Sequence, residues 1–256
     1  MIELQQIGKT FYKERNALQA VEDVSLVFKP NTITALIGPS GCGKSTLLNM
    51  IAGLYQPTEG SVHWKQKKLE HVNTAVGYMT QKDNLLPWRT VISNVALPLE
   101  ITGISKQARN EEAKKILKLV NLDGFEEKYS NELSGGMRKR ACLARMLLHN
   151  PEILLLDEPF AALDAQLRVA MHDLLLKLWS ERQQTIILVT HDLVEAITLA
   201  DRVIVFSPRP AKVAYEKTIE LERPRDVMQV RFSKEFQNIH NEIWEYLRQQ
   251  YAEEKI

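Results

Sequence analysis

The octapeptide Gly38-Pro39-Ser40-Gly41-Cys42-Gly43-Lys44-Ser45 constrains this chain more than any other feature. It fits the pattern G-x-x-x-x-G-K-[ST]. It follows the apolar run Thr32 to Ile37 and opens a helical pattern from Lys44 to Ala52, with Gly53 placed just past the helix end. Glycines let the backbone curl until its N–H groups converge, and the helix N-terminus adds partial positive charge at the same point, so such a loop cradles an anion. Lys44 is placed to reach the β- and γ-phosphates of a nucleotide, the Ser45 hydroxyl to ligate Mg²⁺, and Thr46 to add a phosphate contact. Cys42 stands at a variable position of the loop and reads as a spacer rather than a nucleophile.

A loop of this kind requires strand–loop–helix alternation, and the rest of the chain supplies it. Val24 to Phe28, Thr32 to Ile37, Ile153 to Leu156, Ile186 to Val189 and Val203 to Phe206 read as strands. The last three are almost wholly apolar, as parallel strands covered on both faces are. Between them, Ser105 caps a helical pattern to about Val120, and Asp164 caps another with Leu167, Met171, Leu174, Leu175 and Leu178 at helical spacing. The N-terminal segments and Ser61 to Trp64 look antiparallel. The expectation is an α/β fold with a mainly parallel sheet. With 45% hydrophobic and 25% charged residues in 256, a core of ordinary size forms, which excludes a disordered, collagenous or small disulfide chain. Lys+Arg 33 against Asp+Glu 32 argues against a strongly basic nucleic-acid binder, so no nucleic-acid partner is expected. Cys42 and Cys142 form no ligand-spaced cluster, which fits a cytosolic setting. No basic segment followed by an apolar run opens the chain, and no stretch approaches the ~20 apolar residues of a spanning helix. Work at a membrane would go through a partner.

The strand Ile153 to Leu156 ends in Asp157-Glu158. A buried strand delivers such acids to the carboxyl edge of the sheet, where ligands bind in these folds. Beside a phosphate loop, Asp157 is the expected Mg²⁺-organising acid, and Glu158 is placed to polarise the attacking water. His191 follows the run Thr185 to Thr190; it reads either as a structural histidine or as one that contacts the γ-phosphate or orients the water.

Leu133-Ser134-Gly135-Gly136-Met137 precedes the helical run Arg138 to Leu148. With the phosphate loop and the Asp157-Glu158 strand, it resembles the ABC transporter ATPase family, over about Ile2 to Ile219 and with all the family's motifs in order. The resemblance implies a P-loop NTPase core with an antiparallel β-subdomain and a helical signature subdomain. The expected divisions are a nucleotide-binding domain at 1–220, its helical subdomain at about 82–150, and a C-terminal helical extension at 221–256. It makes Gly38 to Thr46 the Walker A loop, Gln81 the Q-loop glutamine and an Mg²⁺ ligand, Leu133 to Met137 the signature, Ile153 to Asp157 Walker B and Glu158 the catalytic glutamate. Ala161 to Asp164 match the D-loop and His191 the switch histidine. Phe11 best matches the aromatic that stacks on adenine, with Tyr12 second and Lys13 to Asn16 as extra loop residues. ATP and Mg²⁺ are the implied ligands. Ser134, Gly135, Gly136 and Asp164 would serve the nucleotide across a head-to-tail pair of ATPase subunits, two identical copies by expectation. Met137 and Ala161 stand where the family often carries Gln and Ser; neither change removes a phosphate or metal ligand.

Leu85-Leu86-Pro87-Trp88, Ser134 to Arg138 and Phe160 to Asp164 look like the nitrate/sulfonate/taurine importer subfamily. That resemblance implies an energy-coupling subunit on the cytoplasmic face of the membrane. It would be held there by permease subunits docking near Leu85, Leu86, Pro87 and Trp88, and would serve a periplasmic or lipid-anchored substrate-binding protein indirectly. The same residues read equally well as core of the helical subdomain. A nucleotide-sensing regulator and an export ATPase are the competing readings; Glu158 and His191 argue against the first. Beyond a break at Arg223-Pro224-Arg225, the positions Phe232, Phe236, Ile239, Ile243 and Leu247 give an amphipathic helix, packed on its own domain or binding a partner.

Overall fold

The structure, a computed structural model, describes residues 1–13 and 16–253. Glu14 and Arg15, inside the expected insert Lys13 to Asn16, lie outside the described residues, as do 254–256. The chain opens with a long hairpin, β1 (Ile2–Lys13) and β2 (Asn16–Phe28), joined by β4 (Glu59–Trp64) and β5 (Lys67–Lys68) in an antiparallel sheet of order β2-β1-β4-β5. The expected strand Val24 to Phe28 is the end of β2 and belongs to this sheet.

The second sheet has six strands. β3 (Ile33–Ile37), β6 (Val76–Met79), β7 (Ile153–Asp157), β8 (Thr185–Val189) and β9 (Arg202–Phe206) run parallel, and β10 (Val213–Thr218) pairs antiparallel with β9; the order is β10-β9-β3-β8-β7-β6. Side chains alternate across a strand, so each strand feeds two cores. On β7, Leu154 and Leu156 join the core under the helices, whereas Ile153 and Leu155 join the one beneath the antiparallel sheet and α1 (Lys44–Ile51). Both faces are covered, which is why these strands read as unbroken apolar runs.

The helix-side core also takes residues from α2 (Val91–Val95), α4 (Lys106–Leu119), α5 (Gly135–His149), α6 (Ala165–Arg182) and α7 (Leu193–Leu199), whereas α3 (Leu97–Ile101) buries none of its residues. Side-chain caps fix the starts of several: Ser105 accepts from Ala108 N–H, Asp164 from Leu167 N–H and Asp192 from Glu195 N–H. Gly53 follows the last turn of α1 at φ 73°, the left-handed geometry that favours glycine.

The last helix, α8 (Lys234–Glu253), packs on its own chain. Phe236 and Ile243 are buried, Tyr246 stacks on Tyr215 at 4.8 Å, and its hydroxyl donates to Ala214 O at 2.8 Å. Phe232 departs from the expected stripe: it ends a 3₁₀ turn before the helix and is 79% exposed. Arg223-Pro224-Arg225 lies at the expected break, in irregular chain between β10 and α8, and it also anchors that segment. The buried Arg225 donates to the carbonyls of Ala200 (2.7 Å) and Thr198 (3.1 Å) at the end of α7, where a cation complements the helix dipole. Arg223 bonds Asp201 and lies 4.2 Å over the Trp179 ring.

Candidate functional site

The parallel register brings the C-terminal ends of β3, β8, β7 and β6 side by side. Leu36 pairs with Val189, Val189 with Asp157, and Leu156 with Met79. The residues that follow therefore meet at one sheet edge: the phosphate loop, His191, the acid pair and Gln81.

The loop after β3 closes tightly on the hairpin. Gly43 sits at φ 134°, and a Cβ there would lie 2.4 Å from Ala20 O, so no side chain fits. Lys44 is buried at the start of α1, with its ammonium donating to the carbonyls of Gly38 (2.8 Å) and Pro39 (2.7 Å). The charge is thus held over the curl of the loop. Cys42 is buried 3.6 Å from that ammonium. Arg209, from the β9–β10 connection, donates through Nε to Gly41 O at 3.0 Å, a brace no sequence pattern announces.

Asp157 ends β7 and is only 3% exposed. Burial pushes its carboxyl above the usual range; the Ser45 hydroxyl donates to it and pulls the other way, against the neighbouring charge of Glu158. A buried carboxylate beside a hydroxyl is a hard-oxygen donor set that fits Mg²⁺. Glu158 follows at φ 50°, a left-handed backbone that costs a non-glycine residue about 1–2 kcal/mol. Its N–H still pairs with Val189 O at 2.9 Å, so the strand ends by turning the Glu158 side chain away. Glu158 Oε2 accepts from Gln81 Nε2 at 3.2 Å, and Oε1 lies 3.5 Å from His191 Nδ1. A loop amide, a carboxylate and a well-exposed imidazole thus form one constellation, with geometry suited to holding and activating a water.

The signature stands apart from this edge. Ser134 caps α5, accepting from Met137 N–H at 3.2 Å, which leaves its hydroxyl proton free to donate outward beside the N–H groups of Gly135 and Gly136. A Cβ on Gly136 would come 3.0 Å from Ala162 O, so glycine lets α5 approach the 161–163 segment. Met137 packs its side chain on the core, and Asp164 spends one carboxylate oxygen on capping α6.

Two expectations separate in the structure. Phe11 is half-buried and meets Tyr55 edge to face at 5.6 Å, whereas Tyr12 is 75% exposed. In the Leu85–Trp88 stretch, Leu85 is core, Leu86 half-buried and Pro87 exposed; Trp88 is 72% exposed. Sequence reasoning missed the ties between α5 and the loop after β6: Arg138 Nε to Asp83 Oδ2 at 2.5 Å, Lys139 to the Gln81 carbonyl, and Arg145 to Asn84 O at 3.2 Å. Their signal was the basic run Arg138-Lys139-Arg140 at a helix start, where cations are unfavourable without acceptors.

Residues 21–161 match the family described as ABC transporter. An uncharacterized ABC transporter ATP-binding protein of Methanocaldococcus jannaschii is 44% identical over 231 residues, 90% of this chain and 86% of that protein. The taurine import ATP-binding protein of Escherichia coli (strain K12) is 44% identical over 202 residues, 79% of each. Among solved structures, a dimeric ATP-binding cassette in a post-hydrolysis state, bound to ADP and Pi, superposes with a TM-score of 0.80 at 33% identity, covering 87% of this chain and 100% of that one. No described helix is long and apolar enough to cross a membrane. The family match over residues 21–161, with these relatives and this structural neighbour, makes this protein a member of the ABC transporter family and its ATP-hydrolysing, energy-coupling subunit.

Proposed function

We propose that this chain powers a bacterial-type importer of nitrate, a sulfonate, taurine or a related small molecule. In this reading it works at the cytoplasmic face of the membrane, docked on a permease that receives cargo from a substrate-binding protein. The observation that carries the chemistry is the meeting of Gln81, Glu158 and His191 at the sheet edge from which the Lys44 loop also springs. The importer branch rests on the relatives named for taurine import and on the exposed Trp88.

In this reading the loop N–H groups of 38–46 and the Lys44 ammonium hold the phosphates, and Phe11 stacks on the adenine. Ser45, Asp157 and Gln81 would hold Mg²⁺, which when bound neutralises charge developing on the phosphates. Glu158 accepts the proton of the attacking water, and His191 and Gln81 orient it. Ser134, Gly135, Gly136 and Asp164 act on the nucleotide of a second copy, so that ATP bridges two subunits in a two-fold pair and its hydrolysis releases them.

Affinity purification in gentle detergent from the source cell, followed by mass spectrometry, tests the coupling role. A multi-spanning permease together with a substrate-binding protein is the expected result. A permease without a binding protein would move the assignment to export, and the lack of any membrane partner would favour a soluble nucleotide-dependent regulator.

A further inference from the structure

Arg138, Lys139 and Arg140 stand in the first two turns of α5, where the helix dipole opposes positive charge. Each finds acceptors outside the helix body. Arg140 donates to the carbonyls of Val120 (2.9 Å) and Asn121 at the end of α4. Arg138 donates to Leu133 O at 2.7 Å and to the Asp83 carboxylate. Lys139 reaches the loop that carries the catalytic glutamine: its ammonium donates to the Gln81 carbonyl and, at 3.4 Å, to the Thr80 carbonyl.

We propose that Lys139 is a positioning residue for ATP hydrolysis, holding the main chain at Thr80 and Gln81 so that the Gln81 amide stays against Glu158. The inference rests on the reading of Gln81 and Glu158 given above. Gln81 is an exposed loop residue, and its side chain reaches Glu158 through the single bond from Nε2. A free loop would spend most of its time in other rotamers and backbone states, because ordering one residue costs about 1–2 kcal/mol. The other ties act further along: Arg138 and Cys142 bind Asp83, and Arg145 binds Asn84. Among the described residues, Lys139 is the side chain that grips the backbone of Gln81 itself. A compact ammonium with three donors suits two successive carbonyls. Burial lowers the Lys139 pKa, while the nearby Cys142, Asp83, Asp157 and Glu158 act in the opposite sense. Because Lys139 sits on the helix opened by the signature, any shift of that helix reaches Gln81 directly.

The test is steady-state Mg²⁺-ATP turnover and separate nucleotide titration on the full chain carrying Lys139→Met, Lys139→Arg or Glu158→Gln. Lys139→Met keeps the stem and its packing while removing the donors. It should lower kcat about tenfold while leaving KM and nucleotide Kd within about twofold of wild type. Lys139→Arg keeps donors at similar reach and should hold kcat within about threefold. A merely structural role would lower the melting temperature without this kcat-only loss. Wild-type kcat in Lys139→Met, or a loss matched by weaker nucleotide binding, overturns the inference while Glu158→Gln remains inactive. A Glu158→Gln variant that turns over at the normal rate overturns the reading of the site and this inference with it.

Discussion

Gln81 and Glu158, 77 positions apart in the chain, meet side chain to side chain at 3.2 Å. The contact joins the loop after β6 to the end of β7, and through Glu158 Oε1 it extends to His191 after β8. Three adjacent strands each contribute one group, and a fourth, β3, contributes the phosphate loop. The site is therefore a property of the parallel register, and a change at one strand end acts on all the others.

In the proposed mechanism Glu158 accepts the proton of the attacking water, and Glu158→Gln removes that acceptor while preserving size. Loss of a general base costs about 10²–10⁴ in rate, so turnover should fall at least 100-fold. Nucleotide binding should persist, because the proposed phosphate site is the loop after β3 rather than Glu158. ATP should then drive the variant into a dimer that does not dissociate, read by size-exclusion chromatography with light scattering. Phosphate release at the wild-type rate would remove Glu158 from the mechanism.

Lys44→Ala acts on binding rather than on the chemical step. Its ammonium is already held over the loop by the Gly38 and Pro39 carbonyls, so little ordering remains to be done when phosphates arrive. Hydrogen bonds to charged groups contribute about 1.5–3 kcal/mol, or roughly 10- to 100-fold in affinity. A fluorescent-nucleotide titration should show a Kd raised by that factor. Equal affinities would mean that the loop holds phosphate without its lysine.

Phe11 and Tyr12 are distinguished by what already supports them. Phe11 is held edge-on by Tyr55 and lies under the Lys9 ammonium at 5.3 Å, so its ring is preorganised; Tyr12 is free in solvent. An aromatic contact contributes about 0.5–1.5 kcal/mol. Phe11→Ala should raise the nucleotide Kd about 3- to 10-fold, with Tyr12→Ala near wild type. The reverse order would move the adenine contact to Tyr12.

The strands and the phosphate loop were legible because burial on both faces leaves a continuous apolar run, and because the loop's glycines are required by backbone approach, as at Gly43 beside Ala20 O. Two caps were legible for the same local reason: Ser105 and Asp164 each accept a bond from a residue three positions on. Long-range partners were not. Arg225 reads only as part of a break around a proline, and its carbonyl partner Ala200, just past α7, lies 25 positions back. Phe232 continues a helical stripe on paper, but the chain turns through 3₁₀ geometry before α8 begins and leaves the ring in solvent. The short strand β6 carries Gly77 between Val76 and Tyr78, too little apolar length to announce a strand.

Cys142 gives the fold a pH dependence of known sign. Burial pushes its thiol from 9.0 up to about 11, and the thiol donates to the Asp83 carbonyl. Between pH 9 and pH 11 the unfolded chain loses this proton while the folded chain retains it, so stability falls as pH rises through that window. The slope is about 1.4 kcal/mol per pH unit. Cys142→Ala abolishes this contribution. Urea unfolding at pH 8 and pH 10 should therefore show the stability of wild type falling relative to the variant; a constant difference would mean the thiol titrates normally.

Trp88 is the residue best placed to distinguish coupling from catalysis. Its ring is 72% exposed, yet the loop beneath it is tied down by hydrogen bonds. The buried Asn94 accepts from Leu86 N–H at 2.8 Å and donates to the carbonyls of Leu86, Arg89 and Thr90 at 3.0, 3.0 and 3.1 Å. Leu85 anchors the same loop in the core. A large aromatic held out on a fixed loop loses little entropy on burial by a partner, which is how tryptophan becomes a dominant contact. Trp88→Ala should leave stability within about 0.5 kcal/mol, as exposed substitutions do. Turnover of the isolated chain should be unchanged, since the ring touches none of Gln81, Glu158 or His191. Truncating such a contact costs about 2 kcal/mol or more, roughly 30-fold in affinity. The permease should therefore be lost from the detergent copurification while ATP turnover persists. Loss of turnover with the permease retained would place Trp88 in the catalytic apparatus and leave the docking surface elsewhere.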